Sequence, residues 1–224
     1  RQMFGQYVSP DVVDILVKDP SKIRLGGDKR DMTIFFLDIA HFTTISEKMS
    51  PYEVVTRLND YLSEVSEVLI NHGAFINKYI GDAILALYGA FGEDPDHRAK
   101  SCQAALAAME VINRKAEEAE AMGIDPFITR IGVNTGEMTM GNIGSARKIE
   151  FTVIGDPVNS ATRLESINKH YGTRILVSEF TREGAGDGFE FRLVDILQFK
   201  GKLQSTRIYE LLGAKGDVGE DDEE

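Results

Sequence analysis

The spacing of apolar residues along the chain predicts alternating strands and helices. Continuous apolar runs, which are typical of buried strands, occupy residues 32–39, 74–80 and 83–88. Between the first two runs, apolar side chains from Val54 to Leu69 recur every three or four positions, which predicts an amphipathic helix. Ser50 and Glu53 form a capping-box pattern before this helix, and Gly73 is a typical signal for its end.

The rest of the chain continues the alternation. Residues 94–122 predict a second long helix, and residues 157–171 predict a third. Short strands are predicted at residues 129–134, 137–142, 149–154, 174–178, 189–199 and 207–212. The order strand, helix, hairpin, helix, strand is that of a ferredoxin-like, or split βαβ, core with additions at its C-terminal end. We therefore predict an α+β domain whose helices cover one face of the sheet.

Composition and charge narrow the class of protein. The 224 residues carry a net charge of −11 and are 42% hydrophobic, which suits one globular domain of ordinary size. Such an acidic domain is not expected to bind nucleic acid. The single cysteine, Cys102, excludes an intrachain disulfide and indicates a reducing compartment. No apolar run approaches the roughly 20 residues that cross a bilayer, so we expect a cytoplasmic domain without direct membrane contact.

Both ends of the chain differ in pattern from its centre. Residues 1–27 contain a short apolar stretch followed by the turn-forming residues Pro20, Gly26 and Gly27, which predicts a lead-in helix and a linker. Residues 214–224 are mostly acidic and have almost nothing to bury, so we predict a disordered tail. The folded domain is expected to span residues 28–213.

Two aspartates stand out because their neighbours in the sequence are apolar. Asp38 lies in a run of large apolar residues, where an unpaired carboxylate is costly, and Asp82 lies at the tip of the predicted hairpin. A split βαβ core can bring the two together, and two close carboxylates call for a cation such as Mg²⁺ that is shared with substrate phosphates. Other interpretations stay open: Asp82 as a turn residue, and Asp38 as a strand-end cap or the partner of a buried arginine.

Five further polar residues are candidates for contacts with a phosphate or a base. Asn159 and Arg163 are four residues apart on a predicted helix and therefore share a face, where an arginine suits a phosphate oxygen. Lys200 suits a phosphate as a point charge, and Lys78 and Thr152 lie in predicted strands. Taken singly, each of these residues is more often an ordinary surface, strand or turn residue.

Taken together, several segments resemble the class III nucleotidyl cyclases. The segments are residues 36–43 (FLDIAHFT), 77–84 (NKYIGDAI) and 151–164 (FTVIGDPVNSATRL), followed by Lys200 and Gly201. They occur in the family's order, and the resemblance covers roughly residues 28–213. It implies the split βαβ fold and an enzyme that converts a nucleoside triphosphate into a cyclic nucleotide and pyrophosphate.

The resemblance also implies roles for individual residues. Asp38, Ile39 and Asp82 correspond to the positions that bind two divalent cations, Mg²⁺ or Mn²⁺. Asn159 resembles the residue that orients the ribose. Arg163 resembles the arginine that stabilises the transition state at the α-phosphate.

The nucleotide itself is expected to contact Lys78, Thr152 and Lys200. Lys200 resembles a triphosphate ligand, whereas Lys78 and Thr152 occupy the two base-selecting positions. Adenine offers an acceptor at N1 and an amino donor, which a lysine and a hydroxyl acceptor complement, while guanine presents the reverse pattern. Many family members carry Asp in place of Thr152, but some bacterial adenylyl cyclases carry Thr. We therefore expect ATP as the substrate, with a guanylyl cyclase as the alternative.

The resemblance extends to assembly and to the parent protein. It implies a homodimer in which one chain supplies the aspartates and its partner supplies the nucleotide-binding residues. Residues 4–10 (FGQYVSP) resemble the segment before the catalytic domain of bacterial multidomain proteins, which implies an upstream sensor domain in a soluble or membrane-anchored parent. An inactive nucleotide-binding regulatory domain is a further alternative, although such domains typically lose a metal aspartate or the arginine.

Overall fold

A computed structural model describes residues 13, 17, 25–145, 147–199 and 204–216 of the chain. One sheet contains eight strands: β1 Gly26–Ile39, β2 Phe75–Ile80, β3 Ala83–Tyr88, β4 Thr129–Ser145, β5 Lys148–Ile154, β6 Ile175–Ser178, β7 Phe189–Leu197 and β8 Thr206–Ala214. The helices between these strands are α1 Phe42–Ser46, α2 Pro51–Asn71, α3 His97–Ala121, α4 Asp156–Tyr171 and α5 Glu179–Ala185.

The order of the strands is β2-β3-β1-β4-β6-β8-β7, and β5 pairs with β4 beside this path. Strand β1 lies between β3 and β4 and is antiparallel to both, while β4 and β6 are parallel. Strands β1 to β4 with α2 and α3 form the predicted split βαβ core, and β6, β7 and β8 are the C-terminal additions. The predicted α+β class is confirmed.

Helices pack on both faces of the sheet, so the prediction that they cover one face is wrong. Phe35 of β1 packs into a cluster with buried residues of α2 and α3. The neighbouring Ile34 points to the opposite face, where it packs in a cluster with Ala161 of α4. Helix α4 lies so close to β4 that a Cβ at Gly132 would stand 2.2 Å from the carbonyl oxygen of Ala161. Glycine makes this close approach possible.

Strand β4 also differs from the prediction. It is one strand of 17 residues, whereas the sequence pattern predicts two strands at 129–134 and 137–142. Gly136, which lies between these two predicted strands, is paired in the ladder of β1 and β4. A Cβ at this position would stand 2.8 Å from the ring of Pro157. The glycine therefore accommodates the start of α4 and does not end a strand.

The remaining differences concern the chain ends and the two short helices. Strand β1 begins at Gly26, so Gly26 and Gly27 are strand residues rather than part of the expected linker. Helices α1 and α5 are absent from the predicted pattern, and α5 is capped by Ser178, whose hydroxyl accepts the N–H of Thr181 at 3.4 Å. The other residues of the predicted lead-in, apart from 13, 17 and 25, and the acidic residues from 217 onward lie outside the described residues. No helix of the described ranges is long and apolar enough to cross a membrane.

The predicted local signals around the core are present. The hydroxyl of Ser50 accepts the N–H of Glu53 at 3.3 Å, and the Glu53 carboxylate accepts the N–H of Ser50 at 2.8 Å. These two bonds complete the capping box of α2. Strands β2 and β3 pair up to Ile80 and Ala83, so Gly81 and Asp82 form the hairpin turn, and Gly81 takes φ 64° as such turns require.

Candidate active site

The two predicted aspartates meet at one end of the sheet. Asp38 lies one residue before the end of β1, and the adjacent β3 begins directly after the turn that carries Asp82. The two carboxyl groups are in hydrogen-bonding contact. Burial, followed by the charge of Asp82 and this contact, raises the pKa of Asp38 to about 6, while the N–H of Ile39 and the charge of Arg130 oppose the rise. The sheet therefore holds two carboxylates closer than their charges favour.

This pair of carboxylates fits a divalent cation of the Mg²⁺ type. Within the described ranges no group of three or more His, Cys, Asp and Glu side chains converges, so the site is not a closed cage of protein ligands. Mg²⁺ commonly takes one or two carboxylates and completes its shell with water and substrate phosphates. The side chain of Ile39 is buried in the core, so only its backbone oxygen is suited to a cation.

Three residues around this pair were not singled out from the sequence. Arg130 of β4 stands opposite Asp38 in the strand ladder. Glu165 of α4 is 5% exposed, and burial together with the charge of Asp38 raises the pKa of Glu165 to about 7. The hydroxyl of Tyr61 forms a short hydrogen bond with that of Thr129, and burial raises the pKa of Tyr61 well above its usual range.

The sequence carried a signal for only one of these residues. Glu165 follows directly on the segment 151–164 and lies four residues after Ala161, so a helix places both on one face. Ala161 is fully buried against the sheet, so a residue on the same face of the helix, such as Glu165, also points towards the sheet. The pairing of Arg130 with Asp38 depends on the register of two strands that are some 90 residues apart in the chain, and no local pattern encodes that register.

Asn159 and Arg163 share a face of α4, but that face is turned away from the sheet. At 100° per residue, both lie about 160° around the helix axis from Ala161, which packs on the sheet. Asn159 is exposed and Arg163 is half-buried, whereas Glu165 is buried on the inner side of the helix. The arginine therefore projects away from the Asp38 of its own chain.

The two base-selecting candidates lie on β2 and β5, and each contacts a residue of the other strand. The ammonium group of Lys78 forms a short ion pair with the carboxylate of Glu150. The hydroxyl of Thr152, a residue 9% exposed, donates to Oδ1 of Asn77 at 3.0 Å. The side-chain amide of Asn77 donates in turn to the carbonyl oxygen of Phe151 at 3.1 Å.

The structure thus groups six of the predicted site residues into pairs. These are Asp38 and Asp82, which contact each other, Lys78 and Thr152, which lie on two strands that contact each other, and Asn159 and Arg163, which share one face of α4. The first pair points to the inner side of α4 and the third to its outer side. Lys200 lies outside the described residues, so its predicted phosphate contact stays a prediction.

Comparison with known proteins identifies a family. Residues 27–213 match the family described as "Adenylate and Guanylate cyclase catalytic domain". The chain is 37% identical over 213 residues to Adenylate cyclase 1 of Rhizobium meliloti (strain 1021). That alignment covers 94% of this chain and 32% of the relative, so the chain spans about a third of the length of this relative.

Solved structures with the same fold include cyclases of both substrate types. The guanylyl cyclase Cya2 is 32% identical with a TM-score of 0.78, and the match covers 87% of this chain and 98% of that one. The adenylyl cyclase CyaB from P. aeruginosa is 29% identical with the same TM-score of 0.78, and the match covers 87% and 100%. Likeness of fold therefore does not distinguish ATP from GTP.

Proposed function

Because the chain belongs to the adenylate and guanylate cyclase catalytic domain family, we propose that it is an adenylyl cyclase, which converts ATP into 3′,5′-cyclic AMP and pyrophosphate. The observation that carries the proposal is the contact between the half-buried carboxyl groups of Asp38 and Asp82. A divalent cation held by both carboxylates would relieve their mutual repulsion, and phosphate oxygens of the substrate would supply further ligands to such a cation.

Asp38 and Asp82, with the backbone oxygen of Ile39, would hold two divalent cations, either Mg²⁺ or Mn²⁺. When bound, such cations favour ionisation of the ribose 3′-hydroxyl and offset the charge of the triphosphate. The 3′-hydroxyl loses its proton to water, and its oxygen bonds to the α-phosphorus while the bond from that phosphorus to the bridging oxygen breaks. Pyrophosphate leaves with the electron pair.

The other residues act on the ribose and on the phosphates. Asn159 orients the ribose so that its 3′-oxygen stands in line with the α-phosphorus. Arg163 donates to the α-phosphate oxygens, where negative charge increases in the transition state. We assign Lys200 to the triphosphate, as a point charge.

Selection of ATP rests on Lys78 and Thr152. Glu150 of β5 holds the ammonium group of Lys78, and Asn77 of β2 holds the hydroxyl of Thr152, so both base-selecting side chains are fixed where the two strands contact each other. This arrangement complements N1 and the amino group of adenine. GTP remains the alternative substrate because the structurally similar Cya2 is described as a guanylyl cyclase.

The direction in which the pairs point supports a homodimer. Arg163 projects from the outer side of α4, whereas Asp38 lies on its inner side, so one chain cannot direct both at the same phosphate. Exposed apolar residues lie close in sequence to both groups: Ile80, two residues before Asp82, is 50% exposed, and Ile154, at the end of β5 just before α4, is 52% exposed. A two-fold dimer would cover such surfaces and build two identical shared sites.

The parent protein is proposed to be larger than this domain. The chain covers 32% of the length of the R. meliloti relative, which leaves room for further domains in a protein of that size. Together with the resemblance of residues 4–10, this supports an upstream sensor domain. The buried free thiol of Cys102 agrees with a cytoplasmic catalytic domain.

Turnover of purified nucleotides tests the proposal. The chain is incubated with ATP or GTP and either Mn²⁺ or Mg²⁺, and the products are separated by chromatography, with Asp38→Ala as the matched inactive control. We expect cyclic AMP and a higher kcat/KM for ATP than for GTP. Faster formation of cyclic GMP would indicate a guanylyl cyclase. A folded dimer that makes neither product would be an inactive regulatory domain.

A further inference from the structure

We propose that Asn77 is a positioning residue for substrate choice, because its side-chain oxygen fixes the hydroxyl of Thr152 as an acceptor towards the base. The inference rests on the proposed function, and it adds a residue that acts on the base through Thr152. Asn77 is uncharged, and although it is the first residue of the segment 77–84, the resemblance gives it no role.

The orientation of the Asn77 amide follows from its second contact. The oxygen and nitrogen of an asparagine side chain have nearly the same shape, so their positions are assigned from hydrogen-bond partners. One end of the Asn77 amide lies 3.1 Å from the carbonyl oxygen of Phe151, which only accepts. The NH₂ group must therefore be at that end. The other end, 3.0 Å from the hydroxyl of Thr152, is the oxygen Oδ1.

The contact with Oδ1 determines what the hydroxyl can offer to a ligand. A threonine hydroxyl has one hydrogen and two lone pairs, and a free hydroxyl rotates to donate or accept. In Thr152 the hydrogen is directed at Oδ1 of Asn77, so only lone pairs remain for a base. An amino group such as that of adenine is matched, whereas a carbonyl oxygen such as O6 of guanine meets a second acceptor. At a residue only 9% exposed, such a mismatch is costly.

A β-bulge explains how Asn77 reaches Thr152. Consecutive residues of a regular strand point to opposite faces, yet Asn77 and Lys78 both contact residues of β5. The register of β2 against β3 shifts between Ile76 and Lys78, which leaves Asn77 without a paired residue in β3. Bulges redirect a side chain in this way. The irregularity therefore turns both polar residues towards the strand that carries Thr152.

The test compares ATP with inosine triphosphate, whose base carries an oxygen at position 6 in place of the amino group. In Asn77→Ala the hydroxyl of Thr152 is free to rotate and to donate to that oxygen. We expect the ratio of kcat/KM for ATP to that for inosine triphosphate to fall by about tenfold. Asn77→Asp keeps an acceptor for the hydroxyl and should retain most of the selectivity of the unmodified chain. Equilibrium binding of both nucleotides is measured alongside turnover.

A double-mutant cycle separates positioning from a general structural effect. Thr152→Val removes the hydroxyl, so Asn77→Ala should change the ratio no further in that background. Asn59→Ala, an exposed asparagine of α2, is the control and should leave the ratio unchanged. An unchanged ratio in Asn77→Ala, or an additive change in the double variant, would overturn the inference. Absence of cyclic nucleotide from the unmodified chain would instead count against the proposed function, and the binding ratio would still test Asn77.

Discussion

Replacing Asp82 with Asn tests whether the two carboxylates destabilise the fold when no metal is bound. The substitution removes one negative charge and keeps a residue suited to the hairpin turn. The pKa of Asp38 is raised from 3.8 to about 6, and a full shift of this size corresponds to about 3 kcal/mol. Burial is its largest cause, and solvent screens a half-buried pair. We therefore expect the variant to gain on the order of 0.5–1 kcal/mol in free energy of unfolding.

The gain depends on pH in a defined direction. The pKa of Asp38 is higher in the folded chain than in the unfolded chain, so the folded state binds more protons between about pH 4 and pH 6. Stability from this group consequently falls as the pH rises through that window. The advantage of Asp82→Asn should be complete above pH 6 and should shrink as the pH falls towards 4.

Thermal unfolding in EDTA at pH 7.5 and pH 5 measures this effect. At pH 7.5 we expect the Tm of Asp82→Asn to exceed that of the unmodified chain by about 1–3 °C, with a smaller difference at pH 5. Asp28→Asn, at an exposed position of β1, is the control and should change little. Added Mn²⁺ should stabilise the unmodified chain more than the variant. A variant that is less stable in EDTA at pH 7.5 would refute the reasoning.

Two further predictions concern specificity and packing. Lys78→Glu combined with Thr152→Cys should lower turnover of ATP and raise the ratio of kcat/KM for GTP to that for ATP, and an unchanged ratio would mean that these residues do not face the base. Gly132→Ala should destabilise the fold by about 1–3 kcal/mol in denaturant unfolding, because its Cβ would stand 2.2 Å from the carbonyl oxygen of Ala161. A Cβ at Gly188 would have no other atom within 4 Å, so Gly188→Ala is the control and should destabilise the fold far less.

Local patterns were enough to predict much of the fold. The capping box at Ser50 and Glu53 and the turn at Gly81 and Asp82 depend on residues that are close in sequence, and both are present in the structure. The split βαβ order followed from these elements. It also predicted that Asp38 would meet Asp82, because that topology places the first strand beside the hairpin.

The features that were missed depend on contacts between distant segments. Gly132 lies inside a predicted strand and Gly136 lies between two predicted strands, but both serve the close packing of α4 on β4, a contact that no local pattern reveals. The position of Arg130 opposite Asp38 is a matter of strand register. Asn77 became visible as a partner of Thr152 only through the bulge in β2, since bulges have no dependable sequence signature.

The shared active site is tested most directly by mixing two inactive variants. Asp38→Ala lacks a metal ligand and Arg163→Ala lacks the transition-state arginine, so each homodimer should be nearly inactive with ATP and Mn²⁺. In a mixed dimer one site carries both lesions, while the other combines the aspartates of one chain with the arginine of its partner. At equal concentrations half of the dimers are mixed, so about a quarter of the activity of the unmodified chain should return.

This recovery should rise with protein concentration as mixed dimers form. Native mass spectrometry of the same mixture verifies that such dimers are present. The control is a mixture of Asp38→Ala with Asp82→Ala, because both aspartates of any one site come from the same chain. In this control each of the two sites of the mixed dimer would carry one of the two substitutions, so no activity should return. Recovery in the first mixture alone is the result we predict, and a lack of recovery despite mixed dimers would contradict a site shared between two chains.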